Sequence, residues 1–161
     1  MAGFVKLPAR LTFVAAALLW VLAVAHAVVL AEQTGSPAAT PDPPVRSTQT
    51  GVYTEAQAKR GEALYGDSCG RCHGKSLEGD PAQNAASLAG ADYLKARTGQ
   101  DLGKMFRYII ERMPDDDPGT LTAANTADLI AYILKFNKFP AGKDELPTDA
   151  ATLKLIRIGL Q

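Results

Sequence analysis

The chain has 161 residues, 47% of them hydrophobic, which suffices for one modest core and not for two comfortable ones. Its 17 basic and 17 acidic side chains balance, and the clustered basic excess expected of a nucleic-acid binder is missing. The two cysteines fall within one short motif, so none is left for structural bridges elsewhere.

Lys6 and Arg10 open the chain, and an uncharged run extends from Leu11 to Ala31. A short positive region ahead of an apolar stretch has the form of an export signal. Small residues flank two cleavage points, after Ala27 and after Ala31, the second preferred. A run of roughly twenty apolar residues can also span a bilayer, so residues 1–31 read as a signal peptide or an uncleaved N-terminal anchor. Residues 32–52 follow as a linker rich in Pro, Ser and Thr, with Pro37, Pro41, Pro43 and Pro44 and almost nothing large and apolar to bury. Such a composition cannot offset the entropy of ordering, and no secondary structure is expected there.

Helix is expected from Thr54, where Thr54-x-x-Gln57 has the form of a capping box, to about Gly66 or Ser68. It delivers Cys69-Gly70-Arg71-Cys72-His73. Two thiols three positions apart can reach both vinyl groups of one haem, and the next residue offers its imidazole to the iron. A zinc site would lack ligands, because the only other histidine, His26, lies in the apolar N-terminal run. A redox dithiol shares the Cys-x-x-Cys spacing but calls for a strand before the motif, and a simple disulfide leaves His73 without a task. Haem c is therefore the expected cofactor, with Arg71 read as an exposed charge.

Irregular backbone is expected through the glycine-bearing stretch after His73, with Leu88 as its apolar contact. Asp101 can cap a helix carrying Leu102, Phe106, Ile109 and Ile110 at three- and four-residue steps, which must end before Pro114. Met113 stands at that end and can turn its thioether toward an iron; Met105, one of the helix's interior residues, is the competing candidate and reads as core. The triplet Asp115-Asp116-Asp117 reads as a solvated turn. Thr122 caps a last long helix with a broad apolar face that stops near Asn137, ahead of Pro140 and Gly142. Residues 143–161 carry Leu146, Leu153, Leu155, Ile156 and Ile158 without a clean period, and read as a tail packed over the domain.

The attachment motif after an opening helix, the Met-Pro element some forty residues on, and the closing helix Ala127-Asp128-Leu129-Ile130-Ala131-Tyr132-Ile133-Leu134 together resemble the class I c-type cytochromes. The resemblance covers about residues 53–142. It implies an all-α fold of about three to five helices around one covalently bound haem, with Gly61 and Tyr65 of the first helix crossing Leu129 and Tyr132 of the last. It further implies that His73 and Met113 are the axial ligands and that a backbone carbonyl orients the imidazole. Relatives often carry proline where Ala86 stands, so Pro81 and Ala86 are both candidates for that carbonyl. The implied function is outer-sphere transfer of single electrons in the periplasm, from a dehydrogenase or quinol-oxidising complex to an oxidase, rather than enzymatic catalysis. The alternative is the haem-bearing subunit of an oxidoreductase complex, such as a quinoprotein dehydrogenase, docked through the tail. A third reading is a sensor or peroxidase-like haem protein with a labile distal ligand.

Overall fold

The computed structural model describes residues 44–159, so the expected signal or anchor at 1–31 and most of the linker lie outside it. Among the described residues no helix is long and apolar enough to cross a membrane. Order begins earlier than composition predicts. Arg46–Ser47 form a short strand, β1, which pairs in parallel with β2 (Ile156–Arg157), and a 3-10 turn follows at Thr48–Thr50. The expectation of no secondary structure through residue 52 fails for this segment because its polar groups find partners. Thr48 is fully buried, and its hydroxyl oxygen accepts the Gly159 N–H at 2.9 Å.

Helix α1 (Glu55–Ser68) starts where the capping pattern places it, with the Thr54 hydroxyl accepting the Gln57 N–H at 3.1 Å. Only that half of the box forms. The Gln57 side chain turns inward instead, donating to the Leu146 carbonyl at 3.4 Å and accepting the Leu146 N–H at 2.8 Å. One turn of helix, α2 (Gly70–His73), carries the attachment motif. After a loop with a 3-10 turn at Pro81–Gln83 comes α3 (Ala91–Arg97), a helix that the reading of the chain passed over. Only Tyr93 and Leu94 mark its apolar side, too few for a period to show. Helix α4 (Leu102–Arg112) is capped by Asp101, α5 (Ala123–Phe136) by Thr122, and the single turn α6 (Ala150–Leu153) by Asp149. Among the described residues the fold is all-α, with four helices longer than a single turn and two single-turn helices, α2 and α6.

Helices α1 and α5 cross at Gly61. A Cβ added there would stand 1.9 Å from the Asp128 carbonyl oxygen and 3.0 Å from the Tyr132 Cβ, so only glycine admits this approach. Beside the crossing, Tyr65 and Tyr132 stack tilted with ring centroids 5.2 Å apart. Arg60 spans the same crossing with a fork of 2.8 and 2.9 Å to the buried Asp128 carboxylate, and reaches Glu145 at 2.9 Å.

Two apolar clusters result. One gathers Ala58, Leu102, Phe106, Ala127, Ile130, Ala131 and Leu134 with Leu146, Leu153, Ile156 and Ile158. The residues after 142 thus supply part of the core rather than a cover over it. The other gathers Tyr65, Leu77, Tyr93, Leu129, Tyr132 and Ile133, and it is the one that reaches Cys69.

Candidate functional site

Cys69 closes α1 with its N–H on the Tyr65 carbonyl at 2.9 Å, and its own carbonyl accepts the N–H groups of Cys72 (3.1 Å) and His73 (2.9 Å). The tight turn of α2 thereby presents both sulfurs and the imidazole from one short stretch. Neither thiol is in a disulfide, and both are half-buried. Burial first, then the neighbouring Cys72, pushes the Cys69 thiol up to about 11. A thiol held protonated at neutral pH is a poor nucleophile, and a helix rather than a strand leads into it. Both observations weigh against a thioredoxin-like dithiol.

The imidazole is held from behind. His73 Nδ1 lies 2.7 Å from the Ala86 carbonyl oxygen. A carbonyl only accepts, so in the neutral ring Nδ1 carries the proton and Nε2 keeps its lone pair for a metal. Of the two candidate carbonyls, Ala86 rather than Pro81 fills the role, with a main-chain acceptor that alanine supplies as well as proline. Four further contacts fix the loop that carries Ala86. The Leu88 N–H donates to the Leu77 carbonyl at 2.8 Å, and the Ser87 hydroxyl donates to the same oxygen at 3.1 Å. Asn137, read from sequence only as the end of a helix, donates from Nδ2 to the Leu88 carbonyl at 2.9 Å and accepts the Gly90 N–H at 3.2 Å. The Tyr65 hydroxyl donates to the Gly74 carbonyl at 2.7 Å and fixes the turn just past His73.

Met113 is the C-cap of α4, half-buried, its N–H on the Ile109 carbonyl at 3.0 Å. Met105 lies inside the helix, packs against both clusters, and accepts the Tyr93 hydroxyl at its sulfur at 3.7 Å. Its thioether is already engaged in packing, as expected of a core methionine. Against the same cluster as Cys69 pack Leu88, Met105, Ile109 and Leu121, apolar side chains that are only partly covered. A half-covered apolar wall beside two free thiols and an oriented imidazole fits a haem, whose flat apolar ring would complete the burial. Arg71 is exposed, as expected, and pairs with Asp116 of the triplet.

Comparison with known proteins bears on the same stretch. Residues 56–133 match the family model described as cytochrome c oxidase, cbb3-type, subunit III. Cytochrome c-551 of Bacillus subtilis is 51% identical over 43 residues, covering 27% of this chain and 38% of that protein. This is a c-type cytochrome domain. Those matches point to electron transfer rather than to enzymatic catalysis, and haem is the cofactor that the family implies. It spans well under half the length of the Bacillus relative. Among solved structures, the sulfane dehydrogenase SoxCD from Paracoccus pantotrophus shares 20% identity at a TM-score of 0.43, over 79% of this chain and 68% of that one.

Proposed function

We propose that the cytochrome carries single electrons through one haem c, held by thioethers to Cys69 and Cys72, with His73 as proximal and Met113 as distal ligand. The observation that carries this reading is the 2.7 Å contact from His73 Nδ1 to the Ala86 carbonyl, which leaves Nε2 free on the same helical turn that presents both thiols. When bound, the haem supplies a one-electron ferric/ferrous couple whose potential a thioether ligand raises relative to two histidines. The protein's part is positional. Ala86 holds the imidazole tautomer, the cysteines prevent loss of the cofactor, and Leu88, Ile109, Leu129 and Ile133 keep water away. With one side chain offered to each axial position, dioxygen or peroxide would have to displace Met113, which argues against the sensor reading.

The site of action is the periplasm, supported by Lys6 and Arg10 ahead of the apolar run at residues 11–31. The redox partners are a dehydrogenase or quinol-oxidising complex as donor and an oxidase as acceptor. For the subunit alternative, Leu146, Leu153, Ile156 and Ile158 of the tail are already buried in the domain's own core, so among the described residues docking would fall to half-buried Leu155 and to polar side chains.

Mass spectrometry of the exported protein tests attachment: the peptide containing Cys69 and Cys72 should carry the added mass of one haem. A colourless product of unmodified mass, made in a host with working cytochrome maturation, overturns the proposal. Met113→Ala should keep the haem, abolish the weak red-edge band of sulfur-ligated ferric iron and lower the potential. Loss of that band in Met105→Ala instead would transfer the distal role to Met105.

A further inference from the structure

The segment that bears Met113 is anchored at its ends and nearly free between them. Behind it, the Met113 N–H is bound to Ile109. Ahead of it, Leu121 packs against the haem-side cluster. Residues 115–120 are all exposed, and their polar contacts are local: the Asp117 N–H donates to the Pro114 carbonyl at 3.1 Å, and the Thr120 hydroxyl donates to the Asp117 carbonyl at 2.9 Å. One contact of this stretch reaches outside it among the described residues, the ion pair of Asp116 with Arg71. Arg71 lies between the two cysteines on α2, and its own carbonyl accepts from Gln83 Nε2 at 3.4 Å, which ties α2 to the loop carrying Ala86.

We propose that Arg71 and Asp116 form a latch that holds the Met113 loop to the attachment turn, making both of them positioning residues for the distal ligand. The inference rests on the reading of Met113 given above. The pair joins the segment of one axial ligand directly to the segment of the other, across 45 positions of sequence. An outside ligand can take the iron only in the fraction of molecules whose loop has swung away, so its apparent affinity measures that fraction. Both side chains are largely exposed, 68% and 61%, so the latch is weak and sensitive to salt.

The test is a titration of the ferric holoprotein with imidazole, at a pH where imidazole is neutral, following loss of the red-edge sulfur band. Asp116→Asn lies outside the attachment motif and should bind imidazole about two- to fivefold more tightly than the parent at low ionic strength, as for loss of an exposed ion pair. Raising salt to about 1 M, where the screening length falls to about 3 Å, should bring the parent toward the variant and leave the variant unmoved. Asp116→Glu, which keeps the charge, should behave as the parent, and the thermal midpoint should be the same in all three. Equal imidazole affinity for parent and Asp116→Asn at every salt concentration overturns the latch. The Met113→Ala spectrum separates the two failures. If the sulfur band survives in Met113→Ala, the ligand reading falls and the latch with it; if the band is lost there while Asp116→Asn titrates like the parent, the latch alone falls.

Discussion

The two apolar clusters share α5 yet are finished in different ways. In the first, Ala58, Leu102, Ala127, Ile130, Ala131 and Leu153 are fully buried, and the last side chains that close it come from the chain's own end, Leu153, Ile156 and Ile158. In the second, Leu77 and Leu129 are buried, whereas Leu88 and Leu121 remain partly open, as do Met105 and Ile109 where they pack against both clusters. A polypeptide that can bury Leu153 completely could have covered Leu88 as well. On the reading proposed above, the partly open side of the second cluster is where the haem would lie. Apolar area left open in this way becomes binding energy when the haem covers it, at about 25 cal/mol for each Å² removed from water.

That contrast is most easily broken by truncating one residue on each side. Leu153→Ala should cost about 3 kcal/mol, because a fully buried leucine leaves a cavity that the packed helices cannot close. Its haem spectrum should stay that of the parent. Leu88→Ala should cost less in unfolding, about 1 kcal/mol, since less area is lost from a half-open site. Its effect should appear in the visible spectrum and the potential instead. Denaturant melts of both variants, read alongside their spectra, decide the matter: equal costs with equal spectra would mean that the clusters are one core.

The same contrast explains what could be read from the chain in advance. The cluster formed by long helices was legible, because Thr54, Asp101 and Thr122 announce caps and the apolar steps between them keep a helical period. The attachment turn was legible because its chemistry is local in sequence. What escaped was contact between distant segments. Thr48 reads as linker, yet it is buried and accepts a hydrogen bond from Gly159, 111 positions further on. The tail's apolar residues show no period because one helical turn and a two-residue strand are too short to have one. Ala86 acts through its carbonyl, a group that every residue has, and only the resemblance to known cytochromes narrowed the choice to two positions. Arg71 and Asp116 are charged surface residues by composition, and nothing in the chain pairs them.

Gln57 offers the next test. Its side chain satisfies both main-chain groups of buried Leu146, so it fastens the tail to α1 in the first cluster alone. Gln57→Ala should leave that N–H and carbonyl without partners and cost about 2 kcal/mol. Imidazole affinity should not change, because nothing in the haem-side cluster depends on this contact. A denaturation midpoint equal to the parent's would show that the tail holds without its fastening, and that the apolar side chains alone close the first core.

The smallest effect concerns Tyr53, which joins the chain before α1 to the chain after α5 through its hydroxyl on the Phe139 carbonyl at 2.7 Å. Burial first, then the nearby Glu55 carboxylate, pushes its phenol up to about 12 from an ordinary value of 10.0. A group whose pKa is raised on folding contributes stability that is fully present below the unfolded value. That contribution is lost as the pH rises from about 10 through 12, because unfolding then releases a proton. Tyr53→Phe should therefore cost about 1 kcal/mol at neutral pH, the worth of one hydrogen bond. Between pH 10 and 12 its stability should fall less steeply than the parent's. The slope should not vanish, because Tyr93 is likewise pushed up to about 12 by burial and titrates against the haem-side cluster. Comparing Tyr53→Phe with Tyr93→Phe across that window gives the share of each of these phenols, the remainder falling to Tyr65 and Tyr132, which burial also pushes up. If the parent and both variants lose stability at the same rate, neither phenol is buried as deeply as the two clusters require.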